Sequence, residues 1–417
     1  MNIIIDGAVL GASYNHASAR TGIYRVAYQI VLNAIQNPDF EVQISAFENY
    51  SNTRRFILES FKKSINIVNS ESDFKIETFE KQLFNLLKSG SLPQRVLDYT
   101  WLKIKELVRP DAIYQPEFLK KAQIIHSPLH PFPKSVLEHK HLHKITTIHD
   151  LAAFRYPDFV APRNRHLMQR VIEQNRPESH YICISESTKN DLLEFGKGIK
   201  PEQISIINLA ASCDLFYQIG SSEQDPKILE KYGIPNDKPY FLSLSTLEPR
   251  KNLRRTIQAF LQVIEQQHEK DLNFVLVGSK GWDFDEILNE IGDSEYKSQI
   301  IVTGFVDDKD LATIYSRALF FSFVSYYEGF GLPVLEAMQC GIPVLTSDVS
   351  SLPEVAGQAA LMVNPADTNA IADAIWKLYN SENLRQQLIG KSKGQIEKFS
   401  WEKFGDQHTE LYKKLIL

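Results

Sequence analysis

Short all-apolar runs alternate along the chain with stretches whose apolar positions recur every three or four residues. The first pattern suits a strand buried on both faces, the second an amphipathic helix. Asn2–Ile5 reads as a strand. Ile23, Val26, Ile30 and Ala34 recur at helical spacing behind a candidate cap at Thr21, and Asn37-Pro38 ends that helix. Further strands are expected at Val42–Phe47, Gln123–His126, Ile145–His149, Tyr181–Ser185 and Ser205–Asn208, while residues 50–110 are more polar and read mainly as helix. The run Gly220–Lys238 is rich in Ser, Asp, Glu, Gly and Pro and reads as a linker.

Beyond it the alternation restarts. Strands are expected at Tyr240–Leu244, Phe274–Val277, Ile300–Val302, Ala318–Val324 and Ile342–Thr346, with helices at Leu253–Gln266, near Asp310–Arg317 and at Pro333–Gln339. All-apolar strands separated by helices predict a parallel sheet covered on both faces. Because the pattern occurs twice, the fold class is α/β, with two Rossmann-like doubly wound domains facing each other across a cleft. The boundaries are set at 1–217 and 218–400, and a last helix, 401–417, is assigned back to the first domain. In open α/β sheets ligands lie beyond the carboxyl ends of the strands, so the loops that follow strands should carry the chemistry.

Composition narrows the function. The 417 residues are 43% hydrophobic and 23% charged, ordinary for a globular protein, and a net charge of -5 argues against nucleic acid as a partner. Cys183, Cys213 and Cys340 are far apart and form no CxxC, which disfavours a disulfide framework or zinc site and fits a reducing compartment. The start, MNIIIDGAVLG, lacks the basic region and longer apolar core of a signal peptide, and no apolar run is long enough to span a bilayer. A cytoplasmic location is therefore expected.

Two strand-end loops stand out. Residues 328–336 read EGFGLPVLE: two acids bracket seven uncharged residues. Glu328 precedes a helix that Pro333 opens, and Glu336 lies about one turn inside it. The amides of residues 329–332 fall between the acids, where free N–H groups and the helix dipole favour anions or hydroxyl oxygens. A phosphorylated, polyhydroxylated ligand matches that layout; a capping acid and a surface Glu are the plainer alternative. The second loop, STLEPRKN at 245–252, places Arg250 and Lys251 just before a helix N-terminus with Asn252 as a plausible cap, where a diphosphate would be neutralised. Its plainer reading is a solvated basic turn. Both loops leave strands of one sheet and can face one cleft.

With these residues in view, the chain resembles the retaining glycosyltransferases of family 4, which have the two-domain GT-B fold. The resemblance rests on Glu328-x7-Glu336 within YEGFGLPVLEAMQCGIPVLTS, on STLEPRKN, VTGFVDDKDLATIYSRA and SSLPEVAGQAALMVNPAD, and more loosely on TGIYR, IHSP, TIHDL and CISESTKNDLL. It implies that Glu336 holds the donor ribose and that Glu328, with the backbone of Gly329, Phe330, Gly331 and Leu332, contacts the transferred sugar. Lys251 and Arg250 would neutralise the diphosphate, Val306 would meet the base through its backbone, and Gly22 would approach the phosphates. His149 would approach the sugar from the opposite wall, and Ser185 would line the acceptor side. Tyr24 stands where relatives often carry a small residue, and Ser245 where some carry a second basic residue. No cofactor or metal is implied, because basic side chains and helix dipoles carry the phosphate charge in this class.

Other polar residues have structural readings. Asp150 could orient His149 but, as its neighbour in sequence, reads first as capping the next turn, and Asp307-Asp308 read as helix N-terminal acids. His126, His130, His139, His141 and His143 suggest a metal, but HisLysHisLeuHis lies in a polar stretch that reads as surface. Cys183 and Cys340 read as buried, inert thiols. The expected function is metal-independent hexosyl transfer, best matched to UDP-glucose with GDP-mannose as the alternative. The acceptor would be a hydroxyl of a saccharide or lipid-linked oligosaccharide in polysaccharide biosynthesis. A sugar phosphorylase, a nucleotide-sugar epimerase and a non-catalytic sugar-nucleotide binder are competing readings. A dinucleotide oxidoreductase is disfavoured, since no GxGxxG follows a strand. Trp101, Lys103, Lys105, Lys120 and Lys121 offer a peripheral contact with the inner face of a membrane, against a solvated helix face as the default.

Overall fold

Ile3, Ile4 and Ile5 are all fully buried, so neither face of the first strand meets water. The same holds along most of the sheet interior, and it requires helices on both sides. The computed structural model describes residues 1–14, 22–61, 65–85, 114–160, 162–220, 225–278, 291–292 and 294–417. Among them, six strands form a first sheet: β1 (Asn2–Asp6), β2 (Glu41–Ser45), β3 (Ile124–Ser127), β4 (His143–Ile148), β5 (Ser179–Cys183) and β6 (Ile204–Ile206). Six more form a second: β7 (Tyr240–Leu244), β8 (Asn273–Val277), β9 (Ile300–Gly304), β10 (Phe321–Phe323), β11 (Val344–Ser347) and β12 (Ala360–Val363).

The orders are β2-β1-β3-β4-β5-β6 and β12-β11-β10-β7-β8-β9, and every pairing is parallel. Strand order reverses between β1 and β3 in the first sheet and between β7 and β10 in the second. Chains leaving such a switch point diverge and open a crevice at the carboxyl ends. The loops after β7 and β10 are the two singled out by their sequences.

Seven helices matter for the site: α1 (Gly22–Gln36), α2 (Glu186–Phe195), α3 (Asp225–Lys231), α4 (Leu253–Gln267), α5 (Asp308–Arg317), α6 (Leu332–Gln339) and α7 (Trp401–Ile416). α1 buries Val26, Ile30 and Ala34 of the stripe its spacing predicts, together with Ala27 and Val31, while Ile23 is half-buried at the cleft. α7 lies on the first sheet's side: Tyr412 Oη is 2.6 Å from His126 Nδ1, and Lys413 Nζ is 2.7 Å from Asp39 Oδ2.

Several local expectations are corrected. The polar run read as a linker contains α3, held by docking: Lys231 Nζ reaches Asp310 at 2.7 Å and Asp307 at 2.9 Å, and Leu229 is buried. The expected strand Ala318–Val324 contracts to β10, three residues long. Asn252 does not cap α4 with its side chain. It takes a left-handed conformation, and its amide donates to the carbonyls of Val324 at 3.0 Å and Pro365 at 2.8 Å. It thereby ties the β7 loop to the end of β10. Thr21, Trp101, Lys103 and Lys105 lie outside the described residues, whereas Lys120 and Lys121 are exposed at the end of a short helix. No helix among the described residues is long and apolar enough to cross a membrane.

Candidate active site

Between the two sheets lies a cleft of about 600 Å³ lined by Gly22, His149, Arg250, Lys251, Val306, Glu328, Gly329, Phe330, Gly331, Leu332 and Glu336, among others. Apart from Ser185, the site residues inferred from the sequence thus open onto one space.

The loop after β7 makes a tight turn at Pro249–Lys251, and this presents two cations to Glu328, in the loop after β10. Glu328 Oε1 accepts from Lys251 Nζ at 2.7 Å, and Oε2 accepts from Arg250 Nη1 at 3.0 Å. Arg250 is fixed further by the Tyr327 carbonyl and by Glu248, both at 2.8 Å. Glu328 is only 7% exposed, and burial alone would raise its pKa; Lys251 and Arg250 outweigh burial and hold it below the usual carboxylate value. Burial, and then Arg250, push Lys251 below the ordinary ammonium value. Two cations, Arg250 and Lys251, are thus set against two carboxylates, Glu328 and Glu248, in a shielded cleft.

The main chain between the acids is oriented by its carbonyls. Ser351 Oγ donates to the carbonyls of Glu328 at 2.9 Å and Phe330 at 2.8 Å, and Ser185 Oγ to that of Gly329 at 2.7 Å. In a trans peptide the N–H points opposite to the C=O. The amides of Gly329, Phe330 and Gly331 therefore point away from these hydroxyls, and among the described residues they have no acceptor in the protein. Gly329 is required on steric grounds, since an added Cβ would sit 1.8 Å from the His149 carbonyl oxygen. Gly331 adopts φ 110°, a region that β-carbons disfavour, and leads directly into α6 with Pro333 in its first turn.

Glu336, 3% exposed on α6, receives Arg25 Nη1 at 2.5 Å and, more weakly, Tyr315 Oη at 3.4 Å. Burial raises its pKa despite the offset from Arg25. Arg25 belongs to the first turn of α1, in the other half of the molecule, and was not inferred from the sequence. A signal existed: a cation at a helix N-terminus opposes the helix dipole and needs an anion elsewhere.

The facing wall is ordered as tightly. His149, just past β4, is buried and donates Nε2–H to the Pro128 carbonyl at 2.7 Å; burial lowers its pKa, so the ring is neutral with Nδ1 as its remaining acceptor. Asp150 Oδ1 accepts from Ala152 N at 3.0 Å, a local turn cap. Ser185 is fully buried as the N-cap of α2 and holds Gly329, so it braces the two halves and does not line an acceptor surface. A Cβ on Gly22 would lie 3.4 Å from Leu332 Cδ1, which sets the start of α1 against that of α6. Val306 is buried beside Phe305, 47% exposed. The Ser245 hydroxyl is buried at the cleft and has no partner among the described residues.

The remaining polar residues are structural. Asp308 and Asp310 sit in the first turn of α5. His126 is buried between Tyr412 and Thr147, His130 binds Asp6 and Glu48, and His139, His141 and His143 are at least partly exposed. Among the described residues, no group of three His, Cys, Asp or Glu is placed to hold a metal. Cys183 and Cys340 are buried free thiols with raised pKa values.

Comparison with known proteins identifies the family and the fold. Residues 224–395 match the family model described as glycosyl transferases group 1. The O-antigen chain mannosyltransferase B of Escherichia coli is 31% identical over 284 residues, covering 68% of this chain and 73% of the relative. The serotype-specific mannosyltransferase WbdA of Escherichia coli is 32% identical over 237 residues, 56% of this chain but only 28% of that longer protein. The crystal structure of Anabaena Alr3699/HepE in complex with UDP and glucose superposes with a TM-score of 0.67 over 99% of each chain at 15% identity. The chain belongs to the group 1 glycosyl transferases, and its two facing parallel sheets are the GT-B fold.

Proposed function

We propose that the protein transfers a mannosyl group from GDP-mannose to a hydroxyl of a growing saccharide, with retention at the anomeric carbon. The observation that carries the transfer reading is the convergence of Lys251, Arg250 and Glu328 within hydrogen-bonding distance on one wall of the cleft. The two relatives named mannosyltransferases support mannose as the transferred sugar, and we take GDP-mannose as its donor in place of the UDP-glucose that the sequence suggests. A polysaccharide acceptor follows from the same relatives.

In this reading the sugar C1–O bond to the diphosphate breaks as the acceptor oxygen bonds to C1. The acceptor proton passes to a donor phosphate oxygen as the nucleoside diphosphate leaves. Negative charge then grows on the diphosphate, where Lys251, Arg250 and the outward amides of residues 329–331 stabilise it in a water-poor cleft. Those cations carry the charge that a metal would otherwise carry, so a chelator should leave the rate unchanged. Glu328, with lone pairs beyond those given to its two cations, accepts from hexose hydroxyls. Glu336 accepts from the ribose, Val306 meets the base through its backbone, and Gly22 approaches the phosphates. His149, neutral, accepts through Nδ1 from the sugar. The work is cytoplasmic, with the acceptor presented at the first domain, residues 1–217.

The test is to incubate the protein with GDP-mannose or UDP-glucose and a mannose-terminated oligosaccharide, and to analyse the products. A mannosylated product with a retained anomeric configuration supports the proposal. Glucosylation from UDP-glucose, sugar release that depends on inorganic phosphate, or epimerised nucleotide without acceptor would replace it.

A further inference from the structure

Glu336 sits on α6 of the second domain, yet its shortest contact comes from the first. Arg25 Nη1 is 2.5 Å from Oε1, Arg25 Nη2 is 3.9 Å from Asp308 Oδ1, and the guanidinium carbon lies 5.2 Å from the centre of the Phe216 ring. These contacts aim a 19%-exposed side chain at a 4%-exposed carboxylate across the cleft. Tyr315 Oη occupies the other oxygen at 3.4 Å. A carboxylate has about four acceptor positions, so two remain for a pair of neighbouring hydroxyls.

We propose that Arg25 completes the nucleotide site from the opposite domain: it holds Glu336 ionised and oriented, so that the carboxylate can accept both ribose hydroxyls. The inference rests on the ribose role of Glu336 given above. It makes Arg25 a positioning residue, and it ties nucleotide affinity to the docking of the two domains. Arg25 stays in place when the nucleotide binds; it does not act as a latch that the nucleotide must displace.

The charged and titratable groups facing Glu336 are Arg25 from α1, Asp308 and Tyr315 from α5, and Cys340 at the end of α6. Burial pushes the Tyr315 phenol far up and the Cys340 thiol to about 12, so neither titrates near neutrality. Without Arg25, a buried Glu336 loses its counter-ion and takes up a proton far closer to neutrality.

The test uses the full chain, with wild type, Arg25→Lys, Arg25→Ala and Glu336→Gln. Calorimetry with GDP, UDP and ADP on wild type selects the tightest ligand, which is then titrated from pH 6 to 8.5. Arg25→Ala should bind ~30-fold or more weakly at pH 7, the scale of removing one partner of a buried pair. Its affinity should rise with pH more steeply than that of wild type, with proton release on binding. Arg25→Lys should recover most of the affinity and the wild-type pH profile. The nucleotide's own phosphate titrates alike in every variant, so the comparison isolates Glu336. Equal affinity and an equal profile in Arg25→Ala would overturn the proposal, as would tighter binding, which would make Arg25 a competitor. Wild-type binding by Glu336→Gln, or no nucleotide binding by wild type, would instead remove the ribose reading on which the proposal stands. Arg25→Lys, which keeps the charge, also guards against misfolding of the alanine variant.

Discussion

Lys251 Nζ and Glu328 Oε1 lie 2.7 Å apart although they come from loops that leave different strands, β7 and β10, on either side of the switch point of one sheet. The ammonium is 12% exposed and the carboxylate 9%, so the pair is shielded from solvent and salt. In the proposed reaction this ammonium neutralises the departing diphosphate.

Lys251→Ala should lower turnover by ~10²-fold or more, the scale of one lost electrostatic contact in a transition state. Arg250, shared between Glu248 and Glu328, would then be the one cation left to them. Steady-state kinetics on a variant shown to be folded by circular dichroism makes the check, and a near-wild-type rate would exclude Lys251 from the chemistry.

Glu336→Ala should mainly weaken nucleotide binding, raising KM more than it lowers kcat. Acidification acts on the same group. The Glu336 pKa is raised and that of Glu328 is lowered, so Glu336 protonates first as pH falls. Donor KM should therefore climb at mildly acidic pH before kcat drops, which a pH series of initial rates would reveal. A fall in kcat that precedes any rise in KM would contradict these assignments.

Gly329→Ala should disrupt the contact between the domains, because the new methyl would meet the His149 carbonyl at 1.8 Å and both atoms belong to main-chain segments held by other bonds. Loss of activity with each sheet intact, read by small-angle scattering as a more open molecule, is the expected result. Full activity would mean that the cleft works without that approach.

His130 binds Asp6 Oδ2 at 2.9 Å and Glu48 Oε1 at 3.3 Å, joining the end of β1 to the loops after β2 and β3. Burial would lower its pKa, but the two carboxylates override this and raise it to about 10. A group whose folded pKa exceeds its unfolded value of about 6.5 stabilises the fold fully below that value and progressively less as pH rises towards 10. The melting temperature of wild type should thus approach that of His130→Asn between pH 7 and 10. A constant gap across that range would count against the bracket.

Much of the site was legible because it lies in continuous segments. The spacing of Glu328 and Glu336 around two glycines and a proline, and the bases at Arg250 and Lys251, mark strand-end loops by local chemistry alone. What was hidden depends on distance along the chain. Arg25 meets Glu336 across 311 positions, and no periodicity encodes that. Asn252 has the composition of a cap, yet tertiary acceptors at Val324 and Pro365 claim its amide. Helix α3 looks like a linker because its stability comes from Asp307 and Asp310 at the N-terminal end of a neighbouring helix. Ser185 was placed on a strand facing the acceptor, whereas its hydroxyl is spent on a cap and on Gly329.

The most direct measurement is the shift in unfolding temperature with GDP, UDP, ADP and their hexose derivatives, on wild type and Lys251→Ala in parallel. GDP-mannose should give the largest rise in wild type, and much of that rise should vanish in the variant. If no nucleotide diphosphate stabilises the folded protein, or if Lys251→Ala responds like wild type, the cleft is not a receptacle for a sugar diphosphate.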